Sequence, residues 1–283
     1  MNAWSTVVRS SKFKAVLVSA GCSLALLSAC LTTQTTSGGA VGVDRQQFVG
    51  MVSSEDMVAS SAKAYSQELA KAQQAGKLNN DPQLVARVRN IAKRLIPQTA
   101  VFRPDAPGWK WEVNVITSDQ VNAWCMAGGK IAFYTGLITK LNLTDDEIAA
   151  VMGHEIAHAL REHARERVSQ QMATSLGVNL ISAGLGLGTI GRDLTGMVAN
   201  VTISLPYGRK HETESDRIGV ELAARAGYDP RAAITLWEKM ASKAGGSPPE
   251  LLSTHPAPET RMRDLEDYSA RVAPLYQQAR RAG

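Results

Sequence analysis

Residues 154–158 read His154-Glu155-Ile156-Ala157-His158 and lie in an apolar, helix-forming run. On a helix, positions four apart share a face, so two imidazoles at this spacing can reach one metal ion. Glu155 projects beside them and can hold the proton of a water that the metal activates. Two neutral nitrogens with one carboxylate make the donor set of a hydrolytic zinc site. The preceding residues, Ile148-Ala149-Ala150-Val151-Met152-Gly153, are apolar, so the histidines emerge from a buried helix. A bland alternative, two histidines that cap the core with hydrogen bonds, leaves the intervening Glu155 without a role.

A catalytic zinc ordinarily takes a third protein ligand and keeps its fourth position open. The short-spacer solution needs Gly and His three and six residues after the second histidine, where this chain has Arg161 and Ala164. His163 is close in sequence, but five residues past His158 on a continuous helix it points elsewhere. The ligand must then be a later carboxylate, and His211-Glu212-Thr213-Glu214-Ser215-Asp216 offers candidates. Glu212 and Asp216 share a helical face, so Glu212 is the expected ligand, with Asp216 behind it to hold a ligating imidazole. Glu214 lies round the helix and is expected to be a solvated charge, with a ligand role as the alternative.

These residues need elements to position them. Thr144-Asp145-Asp146-Glu147 is a capping box, and the helix it opens carries the metal motif and is expected to run to about Met172. Residues 55–75 and 82–96 show helical spacing, the second opened by Asp81 before Pro82. A Pro-rich break over 97–108 precedes strand-like alternation at 111–116. Extended pieces at 121–126 and 131–134 flank Gly128-Gly129 and suggest a small antiparallel sheet. Residues 177–205 are apolar and Gly-rich but interrupted by Arg192-Asp193, which favours a helical pair or mobile cover over a membrane span. Further helices are expected near 207–226, 230–242 and 258–279. The fold class is mainly α (α+β), with the small sheet flanking the active-site helix.

The N-terminus reads as targeting. A basic stretch to Lys14 precedes the apolar run 15–27, too short for a permanent span, which closes with Leu27-Ser28-Ala29-Cys30. This resembles the bacterial lipobox, so residues 1–29 are expected to be removed and Cys30 to carry lipid; a plain secretory signal is the alternative. Residue 31 is Leu rather than Asp, which implies the periplasmic face of the outer membrane. Residues 30–50 then form the lipidated N-terminus and a flexible tether rich in Thr, Ser, Gln and Gly, and 51–283 a single domain. Without the signal the chain has 28 basic against 26 acidic residues, a net charge of +2, and no aromatic-and-basic stripe, which excludes nucleic acid as a partner. Cys22 leaves with the signal and Cys125 stands alone, a small buried hydrophobe, so stability must come from the core.

Four motifs in order carry a family resemblance. They are Asn122-Ala123-Trp124-Cys125-Met126-Ala127-Gly128-Gly129, the motif at 154–158, Glu212 with Asp216, and Ser253-Thr254-His255-Pro256 with Arg261. Together they resemble the HtpX- and BepA-like zinc metallopeptidases of family M48, over about residues 83–263. Small departures are Met126-Ala127, where a Leu-Pro pair is common, and Ser215, where Ala is common. The resemblance implies a helical gluzincin-type domain with one Zn2+ per subunit held by His154, His158 and Glu212. Glu155 would act on a zinc-bound water as general base, and His255 or Arg261 would supply an oxyanion donor. The resemblance also implies a latency role for His255, closing the open zinc position, with a histidine that merely fixes a Pro-rich turn as the alternative. The strand with Asn122, Ala123 and Trp124 could pair its free edge with an extended substrate. The expected function is an endopeptidase acting on misfolded or misassembled envelope proteins at the membrane. The alternatives are a latent or non-proteolytic assembly factor for outer-membrane proteins and, more weakly, a zinc hydrolase of a non-peptide substrate.

Overall fold

The structure, a computed structural model, describes residues 31–184, 193–243, 249–256 and 260–282. The signal segment and Cys30 lie outside the described residues, as do residues 185–192 of the apolar Gly-rich stretch. The segment after Cys30 is a strap rather than a flexible tether. Thr32–Thr33 (β1) pairs antiparallel with Gln47–Phe48 (β2), and Val41 and Val43 between them join the main core. Several of its polar groups have buried partners. Gln47 Nε2 donates to the Arg161 carbonyl (2.5 Å), Arg161 donates to Thr36 Oγ1 (3.0 Å), and the Val41 amide donates to Glu221 (3.0 Å). Polar composition suggested solvation, but buried polar groups with partners are stable in place.

Two helices come next. In Ser54–Gln74 (α1), the Ser53 side chain accepts from the Asp56 amide; in Pro82–Leu95 (α2), Asp81 accepts from the Gln83 and Leu84 amides. The strands Glu112–Ile116 (β3), Ala123–Met126 (β4) and Lys130–Tyr134 (β5) form one sheet in the order β3-β5-β4. β4 and β5 are the expected antiparallel hairpin, turning through Gly128 (φ 78°) and Gly129 (φ 81°), where a Cβ on Gly129 would strike the Trp111 ring. β3 joins β5 in parallel, so the sheet is mixed rather than antiparallel throughout. Residues 117–122 carry the chain past the neighbouring position, and the returning hairpin fills it.

After Thr135–Lys140 (α3) comes Asp145–Leu160 (α4), the helix of residues 154–158. Both halves of its capping box form: Thr144 Oγ1 accepts from the Glu147 amide, and Glu147 Oε2 accepts from the Thr144 amide at 2.8 Å. Every residue from Glu147 to Leu160 is buried. Around it lie His163–Gly184 (α5), Leu194–Ala199 (α6), Arg209–Arg225 (α7), Ala232–Ser242 (α8), Glu250–Thr254 (α9) and Arg261–Ala282 (α10). α7 crosses α4 in backbone contact at Gly153 and Gly219. Among the described residues no helix is long and apolar enough to cross a membrane.

α4 does not run on to Met172. It stops at Arg161, and Glu162 takes a left-handed conformation (φ 52°) before α5 starts in a new direction. No glycine marks the break; three donors hold it. Arg103 and Ser54 reach Glu162 Oε1 at 2.8 Å, and Arg165 reaches Oε2 at 2.6 Å. Burial pushes this carboxyl up, but the Arg165, Arg103 and Ser54 contacts outweigh it and hold it below the ordinary range. A carboxyl depressed in the folded state stabilises above its unfolded pKa, and that stability is lost as pH falls through the folded value. Chemical denaturation should therefore show wild-type stability falling below about pH 4.5. Glu162→Gln should be about 1–3 kcal/mol less stable at pH 7 and show a shallower acid limb. Equal pH profiles would remove Glu162 as the pin.

Candidate metal centre

The two histidines of α4 sit one turn apart on the face turned to α7, with Nε2 atoms 3.1 Å from each other. Glu212 in the first turn of α7 meets both, Oε2 at 3.5 Å from His154 Nε2 and Oε1 at 3.4 Å from His158 Nε2. His255, just after α9, brings Nδ1 to 3.2 Å from His154 Nε2 and 3.0 Å from Glu212 Oε1. One donor atom from each of His154, His158, Glu212 and His255 lies within 4.8 Å of the others, and all four residues are buried.

The proton count shows that this set fits a cation. His154 Nδ1 faces Asp216 Oδ1 at 2.9 Å; because a carboxylate only accepts, the imidazole proton sits on Nδ1 and Nε2 offers a lone pair. That lone pair faces two more ring nitrogens and a carboxylate, an arrangement that a shared positive charge satisfies. Burial disfavours charged His154, but Asp216 and Glu212 reverse this and raise it to about 10. Burial prevails at His158, which is held well below the imidazole range. Glu212 is pushed up by burial and pulled well below the carboxylate range by His255 and the other two imidazoles. Glu155 lies alongside, 2% exposed, and its Oε1 has no hydrogen-bond partner among the described residues. Burial raises its pKa, against the opposing pull of His255 and His154. A buried acceptor with nothing to accept is what a proton-transferring base needs.

Asp216 is placed as spacing suggested: Oδ1 accepts from His154 Nδ1–H, and Oδ2 accepts from Arg261 Nε at 2.7 Å. Arg261 departs from its expected role. Its other nitrogens donate to Glu212 Oε2 (2.7 Å) and the His255 carbonyl (3.2 Å), and its guanidinium lies 3.8 Å from the Trp237 ring centre. It clamps the two carboxylates together. β4, with Ala123 and Trp124 and preceded by Asn122, is the outer strand of its sheet. α1 and the turn at 200–204 pack on it, Tyr65 meets Trp124 edge to face at 5.6 Å, and Asn122 through Met126 are buried.

Two residues contradict their sequence readings. His163 does not point elsewhere: the break at Glu162 turns its ring back, with Nδ1 3.0 Å from His158 Nδ1. Glu214 is not a solvated charge; it is buried and accepts from Arg161, His163 and Arg45. Tyr207 was not foreseen. Its ring stacks on His255 (5.3 Å between centres) and covers His158 (4.0 Å), while its amide donates to the Thr254 carbonyl. A tyrosine in a Leu-Pro-Tyr-Gly loop carries no sequence signal of such a place.

The sequence profile of Peptidase family M48 matches residues 82–269. The chain is 37% identical over 183 residues to a mitochondrial metalloendopeptidase OMA1 of Schizosaccharomyces pombe, covering 64% of this chain and 52% of that protein. It is 29% identical over 218 residues to a beta-barrel assembly-enhancing protease of Escherichia coli K12, covering 71% and 42%. To the beta-barrel assembly-enhancing protease of Yersinia pestis it is 26% identical over 252 residues, covering 85% and 47%. The chain spans about half the length of these relatives.

Proposed function

The chain belongs to Peptidase family M48, a zinc-dependent metallopeptidase family, and from that premise we propose a lipid-anchored endopeptidase that hydrolyses unfolded or misassembled envelope proteins. The carrying observation is the buried set of His154, His158, Glu212 and His255 beside Glu155, whose Oε1 has no hydrogen-bond partner among the described residues. His154, His158 and Glu212 would hold the zinc ion, which would supply Lewis acidity for a peptide carbonyl and for water. The remaining work falls to the chain. Glu155 takes a proton from the attacking water and delivers it to the leaving amine. Asp216 keeps His154 in the tautomer that leaves Nε2 free, and Arg261 offsets the charge of the Glu212–Asp216 pair. β4 would pair with an extended peptide through its backbone, which gives little sequence selectivity and suits unfolded chains.

Location and substrate rest on separate support. The Leu27-Ser28-Ala29-Cys30 pattern supports an anchor on the periplasmic face of the outer membrane, and the packed strap after Cys30 would hold the domain close to that surface. The Escherichia coli and Yersinia pestis relatives are named for β-barrel assembly, which supports envelope proteins as substrates.

A latent state has its own support. His255 lies among the candidate ligands, and Tyr207 stacks over it. Activity would then require His255 and its loop to withdraw. His255→Ala should raise cleavage of an unfolded protein about tenfold or more, as the competent fraction grows. No cleavage by the zinc-loaded wild type or by His255→Ala would overturn the peptidase reading and favour an assembly factor.

A further inference from the structure

A neutral imidazole has one N–H, so a ring that binds metal through Nε2 carries its proton on Nδ1 and needs an acceptor there. His154 has Asp216. His158 has no carboxylate at Nδ1; its neighbour is His163 Nδ1 at 3.0 Å. Two bare nitrogens would repel, so this contact fixes the direction of the chain. His158 donates Nδ1–H, His163 accepts at Nδ1, and His163 carries its own proton on Nε2. That Nε2 lies 3.0 Å from Glu214 Oε2, an acceptor, so the sequence of donors closes without conflict.

Glu214 is in turn held from two sides. Arg161 Nε donates to Oε2 at 3.0 Å and Arg45 Nε to Oε1 at 2.5 Å. Arg45 also forks both oxygens of Glu166, at 2.8 and 2.9 Å, and Gln47 donates to the same carboxylate at 3.0 Å. Arg45 and Gln47 belong to the strap, more than a hundred residues before α5 and α7. A fork of this kind fixes orientation as well as charge.

We infer that the N-terminal strap is a working part of the metal centre: Arg45 fixes Glu214, Glu214 fixes His163, and His163 holds His158 with its Nε2 turned to His154 and Glu212. His163, Glu214 and Arg45 are positioning residues, since none of them supplies an atom to the coordinating set. The inference rests on the proposed ligation through His158 Nε2. It also gives a role to the buried polar groups of the strap, whose Val41 and Val43 sit in the core.

The test measures zinc affinity by competition with a chromophoric chelator and the absorption spectrum of the Co2+-substituted full chain. His163→Phe keeps a ring to stack on His211 but offers no nitrogen to either neighbour. It should weaken zinc binding about 10- to 100-fold and change the Co2+ bands. His163→Gln supplies one acceptor and one donor and should recover most of the affinity, a rescue that bulk packing alone would not produce. Arg45→Ala should lose about tenfold, the lower end of that range. If His163→Phe does not fold, Arg45→Ala and His163→Gln decide: weakened binding in the first with near-normal binding in the second supports the relay. Wild-type affinity and unchanged Co2+ bands in Arg45→Ala and in a folded His163→Phe overturn it and leave the metal site standing. A wild-type chain that binds no zinc overturns the ligand set and the relay together.

Discussion

Glu155→Gln is expected to cut cleavage of an unfolded protein substrate by about 10²–10⁴-fold while leaving zinc affinity and folding intact. The three outcomes separate because of where the carboxyl sits. Glu155 lies on the same helix as His154 and His158, but its Oε1 makes no hydrogen bond, and His255 Nε2 stands off at 3.6 Å. The charge takes with it only the 3.6 Å ion pair to His255 and no hydrogen bond from Oε1. A buried carboxyl raised by desolvation costs stability in its ionised form, so the isosteric amide should fold as well as the acid or slightly better. The ligating atoms of His154, His158 and Glu212 are untouched, so the metal should stay. Only the ability to take and return a proton disappears. The measurement is zinc content, melting temperature and kcat/KM on one preparation. Undiminished cleavage would remove Glu155 as the base, and lost zinc would make it part of the metal set.

How much of this centre could be read from the chain depends on whether its geometry is local. His154, Glu155 and His158 were legible because a helix fixes the relation of positions four apart, whatever surrounds it. Glu212 and Asp216 were legible for the same reason, and the facing rule that set Glu214 aside as a ligand agrees with its place outside the coordinating group. That rule could not foresee what Glu214 does instead. Its partners Arg45 and His163 come from elements 169 and 51 residues away in sequence. His163 escapes a reading by spacing because spacing holds only along an unbroken helix. The break lies at Glu162, held in a left-handed conformation by Arg103, Ser54 and Arg165, and no Gly or Pro announces it.

The strap and the sheet show the same boundary. A stretch rich in Thr, Gln and Gly has the composition of a solvated linker, and only its tertiary partners make burial tolerable. Strand positions and the Gly128-Gly129 turn were visible, since alternation and left-handed turns are local properties. Whether β3 joins the hairpin in parallel or antiparallel depends on a crossover that no local pattern encodes. Motif order offers Arg261, beside His255, as a candidate oxyanion donor but carries no sign of the two facing carboxylates, Glu212 and Asp216, that it bridges.

Gly219→Ala should cost the protein both its metal and about 10²-fold in activity, although alanine is the better helix former. Gly219 follows Asp216 by three residues and Glu212 by seven, so all three share the face of α7 that meets α4. A Cβ on Gly219 would lie 2.8 Å from the His154 amide nitrogen and 3.1 Å from the Gly153 carbonyl carbon; one on Gly153 would lie 2.8 Å from the Gly219 carbonyl oxygen. These obstacles are backbone, so no side chain can swing aside, and the helices must separate. The crossing stands immediately beside His154, so separation draws Glu212 and Asp216 away from the imidazoles they face at 2.9–3.5 Å. Helix propensity returns at most about 1 kcal/mol. Overpacking costs about 1–3 kcal/mol, so the net change is destabilising. Gly108→Ala, where a Cβ meets nothing within 4 Å, is the matched control and should leave stability and zinc affinity unchanged. If Gly219→Ala bound zinc as tightly as Gly108→Ala, the spacing of α4 and α7 would not be set at this crossing. The two carboxylates would then owe their reach to Arg261, and Arg261→Gln would become the variant that empties the site.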